Sequence, residues 1–253
     1  MGRENRFYLW GGLAYFVVLE ALLVGAILFW PDFEDNAEAL RDFLPAGPLM
    51  QSFDQIVAGG VAAYVHGQHF FKGCNTVGTL AAVILAMNAV AGEANRGTLE
   101  IWLARPVTRR RLLLERWLGG AAAVTLPVFA TTLTIPWLLS RVDTEMALGP
   151  LMLGAVHQSL LLLAIYSATF LWSCLTSRPV FIVFGMLLFT VLQFAMYLIQ
   201  VVTHWSIFRL ADIDVYARIG ATHALDWRIC APLVLVSAIL VAISLVVFAR
   251  RTP

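Results

Sequence analysis

The chain has 253 residues, of which 60% are hydrophobic and 13% are charged, and its net charge is +1. Soluble domains usually carry about 25% charged residues, so the composition excludes an ordinary soluble domain and predicts a polytopic protein of the lipid bilayer. A near-neutral charge gives no reason to expect a nucleic-acid partner. The three cysteines, Cys74, Cys174 and Cys230, are far apart in apolar runs, so no disulfide framework or cysteine metal site is expected.

Apolar runs long enough to cross a membrane recur along the chain, and a helical span needs about 20 such residues. We predict one all-α transmembrane domain over residues 1–253, with six spans at 9–30, 74–92, 117–139, 151–175, 179–203 and 229–249. Two polar outer segments, 31–73 and 204–228, connect spans on one side. Within the first of them, the apolar core is about half a span long, so residues 49–71 are expected to form an interfacial or re-entrant helix.

The basic residues are unequally divided between the two sides of this arrangement. Eleven arginines lie on the side that holds both termini and the loop 93–116, whereas six Lys or Arg residues lie on the other side. Cytoplasmic loops carry the excess of basic residues in membrane proteins. The N and C termini are therefore expected in the cytoplasm.

Glu20 is an ionisable residue near the middle of the first predicted span. Such a group costs about 2.5–3.5 kcal/mol on insertion scales and usually faces protein or a cavity. It is a candidate for the transport pathway or a dimer seam, and a hydrogen-bonded carboxyl between helices is an equal alternative. His66 and His69 can share a helix face near Asp54, but no further ligand has a motif spacing, so no metal site is predicted.

The most basic stretch is the loop 93–116, which reads EANRGTLEIWLARPVTRRRLLLER and holds six of the 17 Lys and Arg residues. Gly97 predicts a break in the chain, and Thr98 predicts a helix cap whose hydroxyl accepts a free N–H of the first turn. Glu100 then lies near the positive end of that helix.

Three apolar side chains of this loop, Leu99, Trp102 and Leu103, follow at i, i+3 and i+4 and so share one face of a short helix. Such a face can press into a groove on a soluble partner. Arg105 precedes Pro106, so the helix should end there. Thr108 then caps a second helix that leads back into the third span.

The order of these residues resembles the corresponding loop of the ABC-2 type permeases, the membrane subunits of a large class of ABC exporters. The family pattern is an acidic residue, Gly-Thr-Leu-Glu, several apolar residues, and Pro-Val-Ser-Arg before a basic helix. The matching residues are Glu93, Gly97, Thr98, Leu99, Glu100, Leu103, Pro106, Val107 and Arg109. Thr108 stands where Ser is common, and Glu115-Arg116 stands where the family often has Gly-Lys.

The resemblance implies an ABC-2, type V exporter-like architecture in a bacterial-type plasma membrane. It also implies that residues 99–103, Trp102 among them, form a coupling helix that docks on a separate ATP-binding cassette subunit. The chain contains no G-x-x-x-x-G-K-[ST] loop, so ATP and Mg are expected on the partner, with no cofactor or catalysis on this chain. Two copies of each subunit, with a homodimer of permeases, are expected from the same resemblance.

Other functions stay open at the level of sequence. The loop can be an ordinary arginine-rich topogenic loop, or the chain can be a membrane anchor or assembly factor that recruits an ATPase without transport. An intramembrane enzyme is less favoured because neither H-E-x-x-H nor G-x-S-x-G occurs. The serines of the fourth span, Ser159, Ser167 and Ser173, have no base at a recognisable spacing.

Overall fold

The computed structural model describes residues 3–43, 48–104 and 106–250, and these ranges form helices and short connections without β-strands. The α-helices of these ranges are, in chain order, α1 (Arg3–Leu28), α2 (Trp30–Asp35), α3 (Ala37–Arg41), α4 (Pro48–Val65), α5 (Thr79–Ala89), α6 (Ala91–Asn95), α7 (Leu99–Leu103), α8 (Arg109–Leu139), α9 (Leu148–Leu175), α10 (Pro179–Leu198), α11 (Ile213–Thr222) and α12 (Trp227–Ala249). A π-helix, His66–Gly78, joins α4 to α5.

Six helical stretches of the described residues are long and apolar enough to cross a membrane, which confirms the predicted all-α, six-span fold class. They are Arg6–Leu28, Phe53–Ala89, Arg109–Val142, Leu148–Leu175, Pro179–Leu198 and Trp227–Ala249.

The second of these stretches differs from the expected arrangement. Residues 48–59 form a helix of their own before the break at Gly60, and from residue 61 the helical path continues through the π-helix into α5 without a loop. The interfacial or re-entrant placement of residues 49–71 stays a prediction. The polar residues that interrupt the apolar run, among them His66, His69 and Asn75, are buried against other helices. The stretch has 37 residues, and it bends at Gly60, whose φ of 60° favours glycine.

The helix α9 lies at the centre of the bundle and packs against α5, α8, α11 and α12. Its buried Gln158 donates from Nε2 to Asn75 Oδ1 at 2.8 Å and accepts a hydrogen bond from the Tyr216 hydroxyl. The Nε2 atom of His157 lies 2.7 Å from the carbonyl oxygen of Leu210. Hydrogen bonds between polar side chains therefore link α9 to the π-helix and to the segment before α12.

The helix α1 crosses α8 at small residues. A Cβ atom on Gly12 would lie 3.3 Å from the backbone of Ala123, and one on Gly119 would lie 3.0 Å from the Tyr8 ring. Small residues at such a crossing let two membrane helices approach closely. The contact of Tyr8 with Gly119 also places the beginning of α1 beside the beginning of α8.

Both ends of the described chain lie at the end of the bundle that carries residues 90–108. Arg109, the first residue of α8, donates from Nη1 to the carbonyl oxygen of Ala249, the last residue of α12, at 3.3 Å. At the opposite end, the aromatic rings of Trp30, Phe33 and Tyr64 pack together between α2 and α4. This cluster and the segment 203–222 close the far end of the bundle.

Candidate functional site

The short helix α7 lies at the loop end of the bundle with its two faces in different surroundings. Leu99 and Trp102 are each only 7% exposed, and Leu103 packs against the core, whereas Ile101 is 67% exposed. The apolar face predicted to enter a groove on a partner is therefore turned towards the chain itself. The predicted helical stripe is present, but it anchors α7, and the exposed side consists of Glu100, Ile101 and the following Ala104.

Arg116 from α8 connects α7 to the second span. Its guanidinium carbon lies 3.0 Å from the centroid of the Trp102 ring, and its Nη1 donates to the carbonyl oxygen of Ala89. The side chain is buried. A buried arginine needs partners of this kind, because its charge is costly away from water, and the stacking adds a cation–π attraction.

The backbone breaks at Val90, between α5 and α6, where φ is −129° and ψ is −54°. Ser173 of α9 satisfies this break: its Oγ accepts from the N–H groups of Val90 at 3.2 Å and Ala91 at 2.9 Å. The same hydroxyl donates to the carbonyl oxygen of Met87 at 3.1 Å. Arg116 of α8 donates a hydrogen bond to the Ala89 carbonyl oxygen. Side chains of α8 and α9 therefore together satisfy the backbone groups at the break.

The segment between α6 and α7 is held by Glu93. Its carboxylate accepts from Arg96 Nη2 at 2.6 Å and from the Thr98 hydroxyl. Burial tends to raise the pKa of Glu93, but the hydrogen bonds from Thr98 and Arg96 and the positive charges of Arg96 and Arg116 outweigh it, so the pKa is lowered. The carboxylate therefore stays charged at neutral pH and fixes the turn.

Thr98 occupies the N-cap position of α7, as predicted, but its side chain does not cap the first turn. The hydroxyl instead donates to Glu93, and the Thr98 N–H donates to the Glu93 carbonyl oxygen at 3.0 Å. The chain reverses here because Gly97 has a φ of 69°, in the region that favours glycine. The predicted break at Gly97 is confirmed, and Thr98 belongs to the turn that Glu93 closes.

The turn that follows α7 leads into α8. Arg105 lies outside the described residues, and the exposed side chains of Pro106 and Val107 follow it. Thr108 is the N-cap of α8, as predicted, because its Oγ accepts from the Arg111 N–H at 3.3 Å. Arg109 then joins α8 to the end of α12 through the carbonyl of Ala249.

The other predicted candidates lie elsewhere in the bundle. Glu20 is on α1, where its Oε2 lies 3.1 Å from the hydroxyl of Thr134 on α8.

His66 and His69 are buried in the π-helix, while Asp54 forms an exposed ion pair with Arg41 at 2.8 Å. The structure therefore does not bring Asp54 into a common ligand set with the two histidines.

Sequence reasoning missed Arg116 and Ser173, which do the most to fix the loop to the bundle. Arg116 is one of several arginines in the loop, and the available signal was its position beyond the exposed charges, among apolar residues of α8. Ser173 stood among serines considered as nucleophiles. In the structure it satisfies the break at Val90, and Ser167 accepts from Trp117 Nε1 at 3.1 Å, so both hydroxyls have structural contacts.

The fold and the loop together define a class of protein: a six-span helical membrane protein that presents a short, firmly anchored helix at the end of its bundle. The sequence model of one family, described as ABC-2 family transporter protein, matches residues 8–252. The chain belongs to this family and is a permease component of ABC transport, as the loop motif indicated. No curated protein matches the chain.

Proposed function

We propose that the chain is the transmembrane subunit of an ATP-driven exporter and that the exposed face of α7 docks on a separate ATP-binding subunit. The observation that carries the proposal is Ile101, a large apolar side chain that is 67% exposed on a helix whose opposite face is buried. An isolated exposed apolar residue is ordinary. Here it lies on the outward face of an anchored helix, within the loop that matches the family's coupling motif.

The contacts of α7 supply a route for coupling. When the partner subunit closes on ATP, it displaces α7, and Trp102 moves with it. Because Arg116 contacts both the Trp102 ring and the Ala89 carbonyl, the displacement acts on α8 and on the end of α5 together. ATP and Mg bind to the partner in this proposal, and the present chain performs no covalent chemistry.

The same proposal places the loop end of the bundle in the cytoplasm of a bacterial-type plasma membrane. The excess of arginines on this side supports the orientation. The described ends of α1 and α12 lie beside the loop, which supports placing both termini on the same side.

A homodimer of permeases within a complex of two permeases and two ATP-binding subunits completes the proposal. Its support is α10, whose apolar residues are the least buried of the six candidate spans. Phe181, Phe184 and Leu188 are exposed on this helix. Single cysteines at these positions should form cross-linked dimers in membranes, whereas cysteines on the exposed face of α12, such as Ile239→Cys, should not.

Co-purification tests the docking proposal. The chain would be co-expressed with ATP-binding proteins of the same source, chosen by their G-x-x-x-x-G-K-[ST] loop and lack of membrane spans. Ile101→Asp places a charge in the proposed interface, so the captured amount should fall at least about tenfold, the equivalent of about 1.4 kcal/mol. Phe43→Asp is the matched control, because Phe43 is 87% exposed at the opposite end of the bundle. Undiminished capture by a well-inserted Ile101→Asp chain would contradict the proposal.

A further inference from the structure

An apolar groove runs between α1 and α8 in the half of the bundle nearest the loop. Its volume is about 490 Å³, within the range of about 300–1,000 Å³ for small-molecule pockets. It opens sideways from the bundle, because Leu9, Leu13 and Leu126 at its edges are exposed. Small residues, Gly12, Gly119 and Ala122, line the groove along the crossing of the two helices.

A carboxyl group lies one helical turn beyond this groove. Phe16 and Ala130 line its far end, and Glu20 and Thr134 each follow four residues later on the same two helices. Thr134 Oγ lies 3.1 Å from Glu20 Oε2 and 2.7 Å from the carbonyl oxygen of Thr131. A hydroxyl has a single hydrogen to donate, so Thr134 cannot satisfy both acceptors at once. Among the residues that the structure describes, no cationic side chain forms an ion pair with Glu20.

A second acceptor lies within the groove itself. Pro127 has no N–H, so the carbonyl group of Ala123, four residues earlier in α8, receives no helical hydrogen bond from it. Ala123 and Pro127 both line the groove. The groove therefore has apolar walls, and the Glu20 carboxyl lies one helical turn beyond its far end.

We propose that this groove binds a lipophilic amine, with its ammonium group at Glu20 and its apolar body between α1 and α8. A carboxylate within the hydrocarbon region is costly unless it is paired, and an ammonium ion supplies both the charge and the donors. A lipid acyl chain fits the apolar walls equally well but leaves the Glu20 carboxyl without a cationic partner. The inference rests on the proposed transport function for its physiological meaning, in which the groove admits substrate from the membrane.

Binding is measured on the full chain in phosphatidylcholine nanodiscs, without any ATP-binding subunit. The probe is a radiolabelled, photoreactive tertiary amine with a diphenyl body, and its comparison is the uncharged ether of the same shape. The amine should bind at least about tenfold more tightly than the ether, because its ammonium group donates a charge-assisted hydrogen bond that the ether cannot make. Photolabelled peptides should map to residues 8–16 and 119–130.

Two variants separate the contributions of charge and shape. Glu20→Gln should remove the preference for the amine and leave binding of the ether unchanged. Ala122→Trp fills the groove and should abolish binding of both probes, whereas Ala242→Trp, at an exposed alanine of α12, should change neither. Size-exclusion profiles in detergent establish that each variant is folded.

Two results would overturn the proposal. Equal binding of amine and ether that Glu20→Gln does not alter would mean that the groove holds acyl chains only. Disulfide-linked dimers of Ala122→Cys, without amine binding to the wild type, would mean that a second copy covers the groove. Because no ATP-binding subunit is present, either result leaves the docking of α7 untouched, and failure of the co-purification leaves this binding result untouched.

Discussion

Besides the bend at Gly60, the second span is irregular at Val90 and in the π-helix, and these two places differ in how their polar groups are satisfied. At Val90 the broken backbone has side-chain partners, since Ser173 accepts from two N–H groups and Arg116 donates to the Ala89 carbonyl. In the π-helix, by contrast, buried polar atoms lack hydrogen-bond partners within the described structure: Nδ1 of His66, Nδ1 of His69 and Nδ2 of Asn75.

The difference indicates which part of the span can change its packing. A buried polar atom without a partner costs about 1–3 kcal/mol, and π-helical segments are usually short and occur at functional sites. This π-helix has 13 residues. Side chains of α8 and α9 hold the break at Val90, whereas the π-helix is the part of the span in which buried side-chain atoms lack hydrogen bonds.

The largest expected effect belongs to Arg116→Ala. The change removes the stacking on Trp102 and leaves the Ala89 carbonyl without its donor, so stability should fall by about 2–4 kcal/mol. Amide hydrogen exchange in residues 91–103 should become faster, because α7 loses its link to α8. Arg110→Ala removes an exposed arginine from the same helix and should shift stability by less than about 0.5 kcal/mol. If amide hydrogen exchange in α7 were as slow in Arg116→Ala as in the wild type, the proposed link from α7 to α8 through Arg116 would be contradicted.

Ser173→Ala should have the next largest effect. It leaves the N–H groups of Val90 and Ala91 without an acceptor, at a cost of about 1–3 kcal/mol in thermal or denaturant unfolding. Ser244→Ala is the matched control, because its buried hydroxyl only donates to the Leu240 carbonyl of its own helix, at 2.8 Å. Equal losses in the two variants would show that the break at Val90 needs no side-chain support.

In the π-helix, His69→Leu should change stability by less than about 1 kcal/mol, because replacing a poorly satisfied polar group by an apolar one is nearly neutral. Its neighbours Thr131 and Thr132 keep their own hydrogen bonds to the backbone of α8. Gln158→Leu, measured beside it, should cost more, since the amide joins Asn75 to Tyr216. The comparison fails if His69→Leu is the more destabilising of the two.

The smallest effect concerns the turn at Glu93. Its pKa in the folded chain lies below the usual value of 4.5. The contribution of this carboxylate is therefore fully present above about pH 4.5 and is lost as the pH falls through the lower, folded pKa. The stability difference between wild type and Glu93→Gln should be below about 1 kcal/mol and constant from pH 7 to pH 5.5. A difference that instead grows on acidification would contradict this assignment.

The six-span fold and the beginning of α8 were predictable because they depend on local signals. Apolar runs of span length mark the helices, and the Thr108 hydroxyl caps α8 as its sequence context indicates. The second span was not predictable in full, because His66 and His69 read as polar interruptions until their helical neighbours are known. Whether a polar side chain of a span faces other helices or lipid depends on the tertiary fold, which the local sequence does not indicate.

The sequence also could not predict which face of α7 packs against its own chain. A stripe at i, i+3 and i+4 gives the same pattern whether it packs on its own chain or on a partner. The structure assigns Leu99 and Trp102 to the chain's own core and leaves Ile101 outside. The burial of Arg116 could not be predicted for a similar reason, because composition does not distinguish a buried arginine from the exposed arginines beside it.

Site-specific photocross-linking from position 101 tests the central claim most directly. A benzophenone amino acid would replace Ile101, or Phe43 as the control, in membranes that contain the chain and its candidate ATP-binding subunit. The account predicts an adduct with that subunit from position 101 and none from position 43. A chain that co-purifies with the subunit yet gives no adduct from position 101 would contradict docking through the exposed face of α7.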